Sequence, residues 1–189
     1  MDDFAALTAS GAEWERRLAA HRPERGAQPS VLPGWSVHEL VNHVIGGAVR
    51  YLLLLRGAPL DVVEATREHD HVGVHPLRAH HRVAAPLTAE FHAPGALERS
   101  VRHRAGRFSG RELLRMRVLE QSLHAWDLAR SSGDDGALPD GLVDYLLGTC
   151  EDLVLRLRAA GRYAGPVDGD RGGDRQRRLL ALTGRDRHL

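Results

Sequence analysis

LLRMRVLEQSLHAWDLAR, residues Leu113 to Arg130, is the stretch on which the reading of this chain turns. It reads as one helix carrying Glu120, His124 and Asp127. Four residues make about one helical turn, so Glu120 and His124 stand one above the other, with Asp127 three further along the same face. A carboxylate and an imidazole stacked in this way can chelate one metal ion. The same spacing also occurs on ordinary solvated faces, so the pair alone leaves both readings open. A second stretch, Leu32 to Arg56, offers a third ligand, His43, on another helix.

In that second stretch Ser36 is placed as an N-cap and Glu39 as its capping-box partner. The helix that follows runs to about Arg56 and stops at Gly57 and Pro59. Leu40, His43, Gly47, Arg50 and Leu54 fall on one face. Taken singly, His43 reads either as a ligand or as a core histidine bonded to a backbone carbonyl. Gly46 and Gly47 lean toward the ligand: glycine costs about 1 kcal/mol in a helix interior, and two of them one turn above His43 imply open space for a bound molecule.

The bulk numbers exclude several classes. A length of 189 residues suits one domain, residues 1–189, and is enough to bury a real core. A net charge of +1 gives no field that argues for nucleic acid or an anionic membrane. The longest clearly apolar run, Tyr51 to Leu55, is far too short to span a bilayer. The first residues, MDDFAALTAS, are acidic and lack the basic start of a signal peptide, so a cytoplasmic protein is expected. A single cysteine, Cys150, rules out an internal disulfide and a multi-cysteine metal site, and it sits beside an apolar stripe as packing rather than as a nucleophile. All 26 basic residues are Arg, which excludes lysine Schiff-base chemistry; with one Asn (Asn42) and one Ile (Ile45), the usage looks like that of a GC-rich actinomycete genome.

The remaining segments fill in a helical protein. Asp2 to His21 is a first helix, and Arg22 to Gly34 is a loop by its prolines and glycines. Leu60 to Val74, with two His and four acids and His75 just beyond, reads as a solvated connector. His75 to Phe91 is a helix with Pro76 in its first turn, kinked or divided at Pro86; His80, His81 and His92 are taken as surface residues. Ala93 to Arg107 is a connection with a short extended piece around Val101. Ser109 and Glu112 form a second capping box that opens the Glu120/His124 helix, and Gly133 closes it. Pro139 to Ala160 is the next helix, Gly161 to Gly173 a Gly- and Asp-rich loop, and Arg175 to Thr183 a short terminal helix. No β alternation is evident. Four long helices with shorter pieces predict an all-α protein, an antiparallel four-helix bundle whose core holds the site.

Three motifs align with a known family. They are Pro33-Gly34-Trp35-Ser36-Val37 with His43 eight residues after the Trp; Glu120-x-x-x-His124-x-Trp126-Asp127-Leu128-Ala129; and the tail Leu179-Leu180-Ala181-Leu182-Thr183-Gly184-Arg185-Asp186. Together they resemble the actinobacterial metal-binding proteins of the mycothiol-dependent maleylpyruvate isomerase type, within the wider DinB-like four-helix-bundle group. The resemblance spans about Ala6 to Asp186 and implies His43, Glu120 and His124 as metal ligands.

Such a donor set suits Zn²⁺ and leaves a fourth position open; it also accepts Ni²⁺, Fe²⁺ or Mn²⁺. A metal of this kind can hold a thiol as thiolate or activate water. The chain has no plausible thiol nucleophile of its own, and the resemblance suggests mycothiol as cosubstrate. The leading expectation is transfer to, or isomerisation of, a small electrophilic metabolite. The alternatives are a metal-water hydrolase or lyase, with Glu39 or Asp127 as base, and a non-catalytic metal- or ligand-binding bundle. Asp127 is expected to orient a ligand histidine from behind, or to be a surface charge; Arg50 and Arg117 to meet anionic groups, or to form solvated ion pairs; Trp35 and Trp126 to pack in the core. The expected partners are a small substrate and a low-molecular-weight thiol, without nucleic acid or membrane. A homodimer is compatible with long exposed helices.

Overall fold

A computed structural model describes residues 1–161, 165 and 174–185. Four helices make the body: α1 (Asp3–Ala20), α2 (Val37–Leu55), α4 (Pro76–His92) and α5 (Gly110–Ser131), with the short α3 (Leu60–Ala65) between α2 and α4. A hairpin, β1 (Ser100–His103) with β2 (Gly106–Ser109), leads into α5. Behind α5 come α6 (Asp140–Thr149), α7 (Glu151–Ala159) and α8 (Arg175–Leu182). The all-α class and the bundle expected from the sequence are therefore observed.

Both predicted capping boxes are formed, at Ser36/Glu39 and at Ser109/Glu112. They fix where the two long site-bearing helices begin. α5 runs through the middle, packed against α1, α2 and α6. Leu114, Leu119, Leu123 and Leu128 are fully buried on it, as are Ser122 and Asp127. A helix buried on every side cannot carry an unpaired charge cheaply, so each charge on α5 has to be accounted for by a partner.

Several local expectations are corrected. The segment around Val101 is a true antiparallel hairpin, with Val101 opposite Phe108 and both buried; four-residue strands are too short to show alternation. α4 continues through Pro86, because Arg82, whose carbonyl the proline leaves unbonded, is exposed and water can take its place. His80 lies in the interior, 2% exposed, while His81 and His92 are on the surface as expected. The single helix predicted over Pro139–Ala160 breaks at Cys150, where the Thr149 hydroxyl bonds back to the Tyr145 carbonyl. Leu60 to Val74 is no solvated connector. It forms α3 and a 3₁₀ turn, Thr66–Glu68, and buries Val63 and Val72. Most of the Gly161–Gly173 loop and Asp186 lie outside the described residues.

Candidate metal and substrate site

A cavity of about 690 Å³ opens between α2, α5, the α3 segment and the hairpin. His43 and Arg50 line it from α2, and Glu120, His124 and Asp127 from α5. His43 Nε2 lies 3.3 Å from Glu120 Oε1, and the His43 and His124 ring centroids are 5.0 Å apart. The three side chains picked out from two distant stretches thus meet at one edge of the cavity. Among the described residues no three His, Cys, Asp or Glu side chains stand in a geometry ready to grip an ion, and His43 and Glu120 face each other directly.

Two of the three, Glu120 and His124, are held from behind. Arg117 Nη1 donates to Glu120 Oε2 at 2.9 Å and to the Val44 carbonyl at 2.8 Å, tying the α5 carboxylate to the α2 backbone. Arg117 is 1% exposed and is absent from the cavity lining, so it serves Glu120 rather than an incoming anion. Burial pushes the Glu120 carboxyl up, but the hydrogen bond from His43 and the charges of Arg117, His43 and His124 outweigh it and bring it down to about 2. Glu120 is therefore a carboxylate at any working pH.

His124 Nδ1 is 2.8 Å from Asp127 Oδ2. Arg185, in the turn after α8, donates to the same carboxylate through Nε (2.9 Å) and Nη2 (2.8 Å). Asp127 is fully buried, so the surface-charge reading is replaced by a clamp. Burial pushes the Asp127 carboxyl up, and the Arg185 charge, with hydrogen bonds from His124 and Arg185, overrides it downward. Burial depresses the His124 imidazole against the pull of Asp127. With Nδ1 donating to Asp127, Nε2 of His124 is left with its lone pair available, as a metal ligand requires. Arg185 went unassigned in the sequence reading. Its only signal was its place in the tail motif, 58 residues beyond Asp127.

The two glycines of α2 have a different role from the one expected. A Cβ on Gly47 would lie 2.7 Å from Glu120 Oε1, and one on Gly46 would lie 2.7 Å from the His71 ring and 2.8 Å from Arg50 Nη1. They leave room for the site's own side chains rather than for empty space. His71 is itself fixed, its Nε2 donating to the Thr66 carbonyl and its backbone N–H to Asn42 Oδ1. Gly34, at φ +80°, makes the turn that brings Trp35 edge-on to His43, with ring centroids 5.0 Å apart. Trp35 and Trp126 both line the cavity, so neither is core packing alone.

Arg50 is 7% exposed and has no carboxylate within ion-pair distance among the described residues; its hydrogen bond goes to the His43 carbonyl at 3.3 Å. A buried, charged guanidinium that lines a cavity has donors that can receive an anion. The α3 segment and the hairpin add Glu64, Arg67, His103 and Arg104 to the cavity lining. Glu64 pairs with Arg67 at 2.7 Å and with Arg104 at 3.6 Å. None of these four was singled out from the sequence, since they sit on short elements without periodicity.

A partly buried His/carboxylate cluster at the edge of a cavity places the molecule in a class: a helical bundle with a polar, cavity-lining cluster. Residues 7–129 match the family described as the mycothiol maleylpyruvate isomerase N-terminal domain, and the chain belongs to that family. It is 28% identical over 153 residues to uncharacterized proteins of two Mycobacterium tuberculosis strains, Rv0738 of H37Rv and MT0763 of CDC 1551. That match covers 81% of this chain and 74% of each relative. The fold is shared with the crystal structure of the mycothiol-dependent maleylpyruvate isomerase, at a TM-score of 0.64 and 18% identity, over 86% of this chain and 72% of that one. A histidine-to-alanine mutant of that enzyme matches equally, at 17% identity.

Proposed function

We propose that this chain is a thiol-dependent isomerase of a small, anionic, unsaturated metabolite, with mycothiol as the thiol and a divalent metal, Zn²⁺ foremost, at His43, Glu120 and His124. The observation that carries the reading is the meeting of two imidazoles and one carboxylate at the cavity edge, with Asp127 and Arg117 fixing two of them. The donor chemistry fits such an ion, with Glu120 ionised and His124 presenting Nε2. When bound, the metal supplies a thiolate at neutral pH. The family and the solved relatives, named for mycothiol and maleylpyruvate, support the thiol and the reaction class.

The chain's own residues supply the rest. Arg50 receives a substrate carboxylate. Trp35, Tyr51, Leu54 and Met116 line the cavity with apolar surface and limit water around the reacting carbons. The thiolate attacks an alkene carbon conjugated to a carbonyl, the former double bond turns, and the thiol leaves unchanged. The compartment is read as the cytoplasm, where low-molecular-weight thiols stay reduced. Among the described residues no helix is long and apolar enough to cross a membrane.

The test is metal content by mass spectrometry on untagged protein purified without added metal, followed by maleylpyruvate isomerisation with and without mycothiol. Near-stoichiometric metal, turnover only with the thiol, and loss of both in His124→Ala are expected, with kcat/KM down by about 10³-fold or more, roughly 4 kcal/mol. Absence of metal in wild type even after titration, or equal turnover without thiol, overturns the reading.

A further inference from the structure

We propose that His103 is a catalytic residue of this site, a neutral imidazole whose Nε2–H donates a hydrogen bond to the substrate's carbonyl oxygen as the thiol adds. This rests on the thiol-dependent reading above.

The tautomer is written into the hairpin. His103 ends β1, and the backbone N–H of Ala105, in the turn that follows, lies 3.2 Å from His103 Nδ1. An amide N–H can only donate, so Nδ1 is the bare, accepting nitrogen and the ring proton is on Nε2. Among the described residues no protein acceptor meets Nε2, and the residue lines the cavity. The ring is held in place between Tyr51 and Phe108, at centroid distances of 6.2 and 5.7 Å. Protonation would put a second N–H on Nδ1, head-on against the Ala105 N–H. Burial, reinforced by the charge of Arg67, already pushes the imidazole down to about 4. His103 thus enters the reaction neutral, with one donor, Nε2–H, on a residue that lines the cavity.

Such a donor is useful at one point of the reaction. As sulfur bonds to the alkene carbon, the alkene pair moves toward the carbonyl carbon and the carbonyl pair moves onto oxygen, giving an enolate. His103 Nε2–H strengthens its hydrogen bond to that oxygen and keeps its proton. Rotation about the new single bond and the reverse electron flow expel the thiolate and restore the double bond in the other geometry. Nothing is oxidised or reduced, and no proton is consumed. A fixed donor aimed at developing oxyanion charge acts mainly on kcat.

The experiment compares His103→Phe, His103→Gln and His103→Asn with wild type, using maleylpyruvate and mycothiol. Gln places a neutral amide donor near the position of Nε2, whereas Asn places it near Nδ1. Expected are a kcat loss of about 10²–10³-fold in Phe with KM within about threefold, recovery by Gln to within about tenfold of wild type, and none by Asn. ¹⁵N-histidine NMR is expected to show the neutral Nε2–H tautomer of His103 from pH 7 to below 6. Equal rates in Gln and Asn, kcat within about threefold of wild type in Phe, or a ring that titrates near 6.5 overturns the proposal; the Gln/Asn contrast decides if Phe does not fold. Absence of thiol-dependent turnover in wild type overturns the reading beneath it as well, and the NMR result separates the two failures.

Discussion

The two walls of the cavity are built differently. One is the face of α2 and α5, long helices that bring His43, Glu120 and His124 together and lock them with Arg117, Asp127 and Arg185. The other is made of a one-turn helix, a 3₁₀ turn and the tip of a hairpin, and carries Glu64, Arg67, His103 and Arg104. On the first wall the charges of Arg117, Glu120, Asp127 and Arg185 are paired in or near the interior, and Arg50 is buried without a carboxylate partner among the described residues. On the second, the Glu64 and Arg67 side chains are about one-third exposed, so their ion pair shares its stability with water. A helix wall fixes geometry to the ångström and makes any loss costly. A wall of short elements leaves room to adjust to a substrate, and changes there should act on turnover and affinity before they act on folding.

The largest effect on folding is expected at Arg185. Arg185→Leu leaves Asp127 ionised, fully buried and without its bidentate partner. Breaking a buried pair on one side costs about 3–5 kcal/mol, which corresponds to a melting temperature lower by about 10 °C in a chain of this size. Metal affinity should fall with it by about 10–100-fold, because Asp127 no longer sets the His124 tautomer firmly. A thermal melt within about 2 °C of wild type would mean that the tail turn decorates the site rather than clamps it.

Two carboxylates, one on each wall, give the next contrast. The Glu120 carboxyl is held at about 2, below its ordinary 4.5, so its contribution is fully present above 4.5 and lost as pH falls toward 2. In metal-free protein that contribution is about 3 kcal/mol. Glu120→Gln should therefore melt well below wild type at pH 7, and the gap should narrow as pH falls from 4.5 to 3. A gap independent of pH would show that Glu120 is held by shape rather than by charge.

The difference between the walls also explains what the chain discloses before it folds. Helical period puts Glu120, His124 and Asp127 on one face, and two capping boxes announce where α2 and α5 start, so that wall and the bundle were legible. His43 was legible only as a residue at the right register on a second helix. Arg185, Glu64, Arg67 and His103 were not legible, because their roles depend on which short elements land beside the cavity, and no period encodes that. The reading of Gly46 and Gly47 found the right place and the wrong occupant: the close approach of Glu120, His71 and Arg50 is a tertiary fact. His80 shows the same limit. A polar residue on a mostly polar helix face looks exposed until α4 is packed, and inside the protein its imidazole is pushed down to about 4 by burial.

The smallest expected effect on folding is Glu64→Gln, and it bears most directly on the second wall. Glu64 neutralises part of the charge of Arg67 and Arg104, at 2.7 and 3.6 Å. Its carboxyl is held below the ordinary range, first by the hydrogen bonds from Arg67 and against a smaller opposing push from burial. Because the pair is partly solvated, its loss should cost no more than about 1 kcal/mol and move the melting temperature by about 2–4 °C at most. The same change removes the negative charge that faces Arg67 and Arg104 and makes the wall more positive toward an anion. KM for maleylpyruvate should therefore fall, by about two- to fivefold at low ionic strength, with the gain fading as salt is raised. If KM rises instead, Glu64 orients Arg67 for the substrate rather than restraining its charge, and the second wall is as tightly organised as the first.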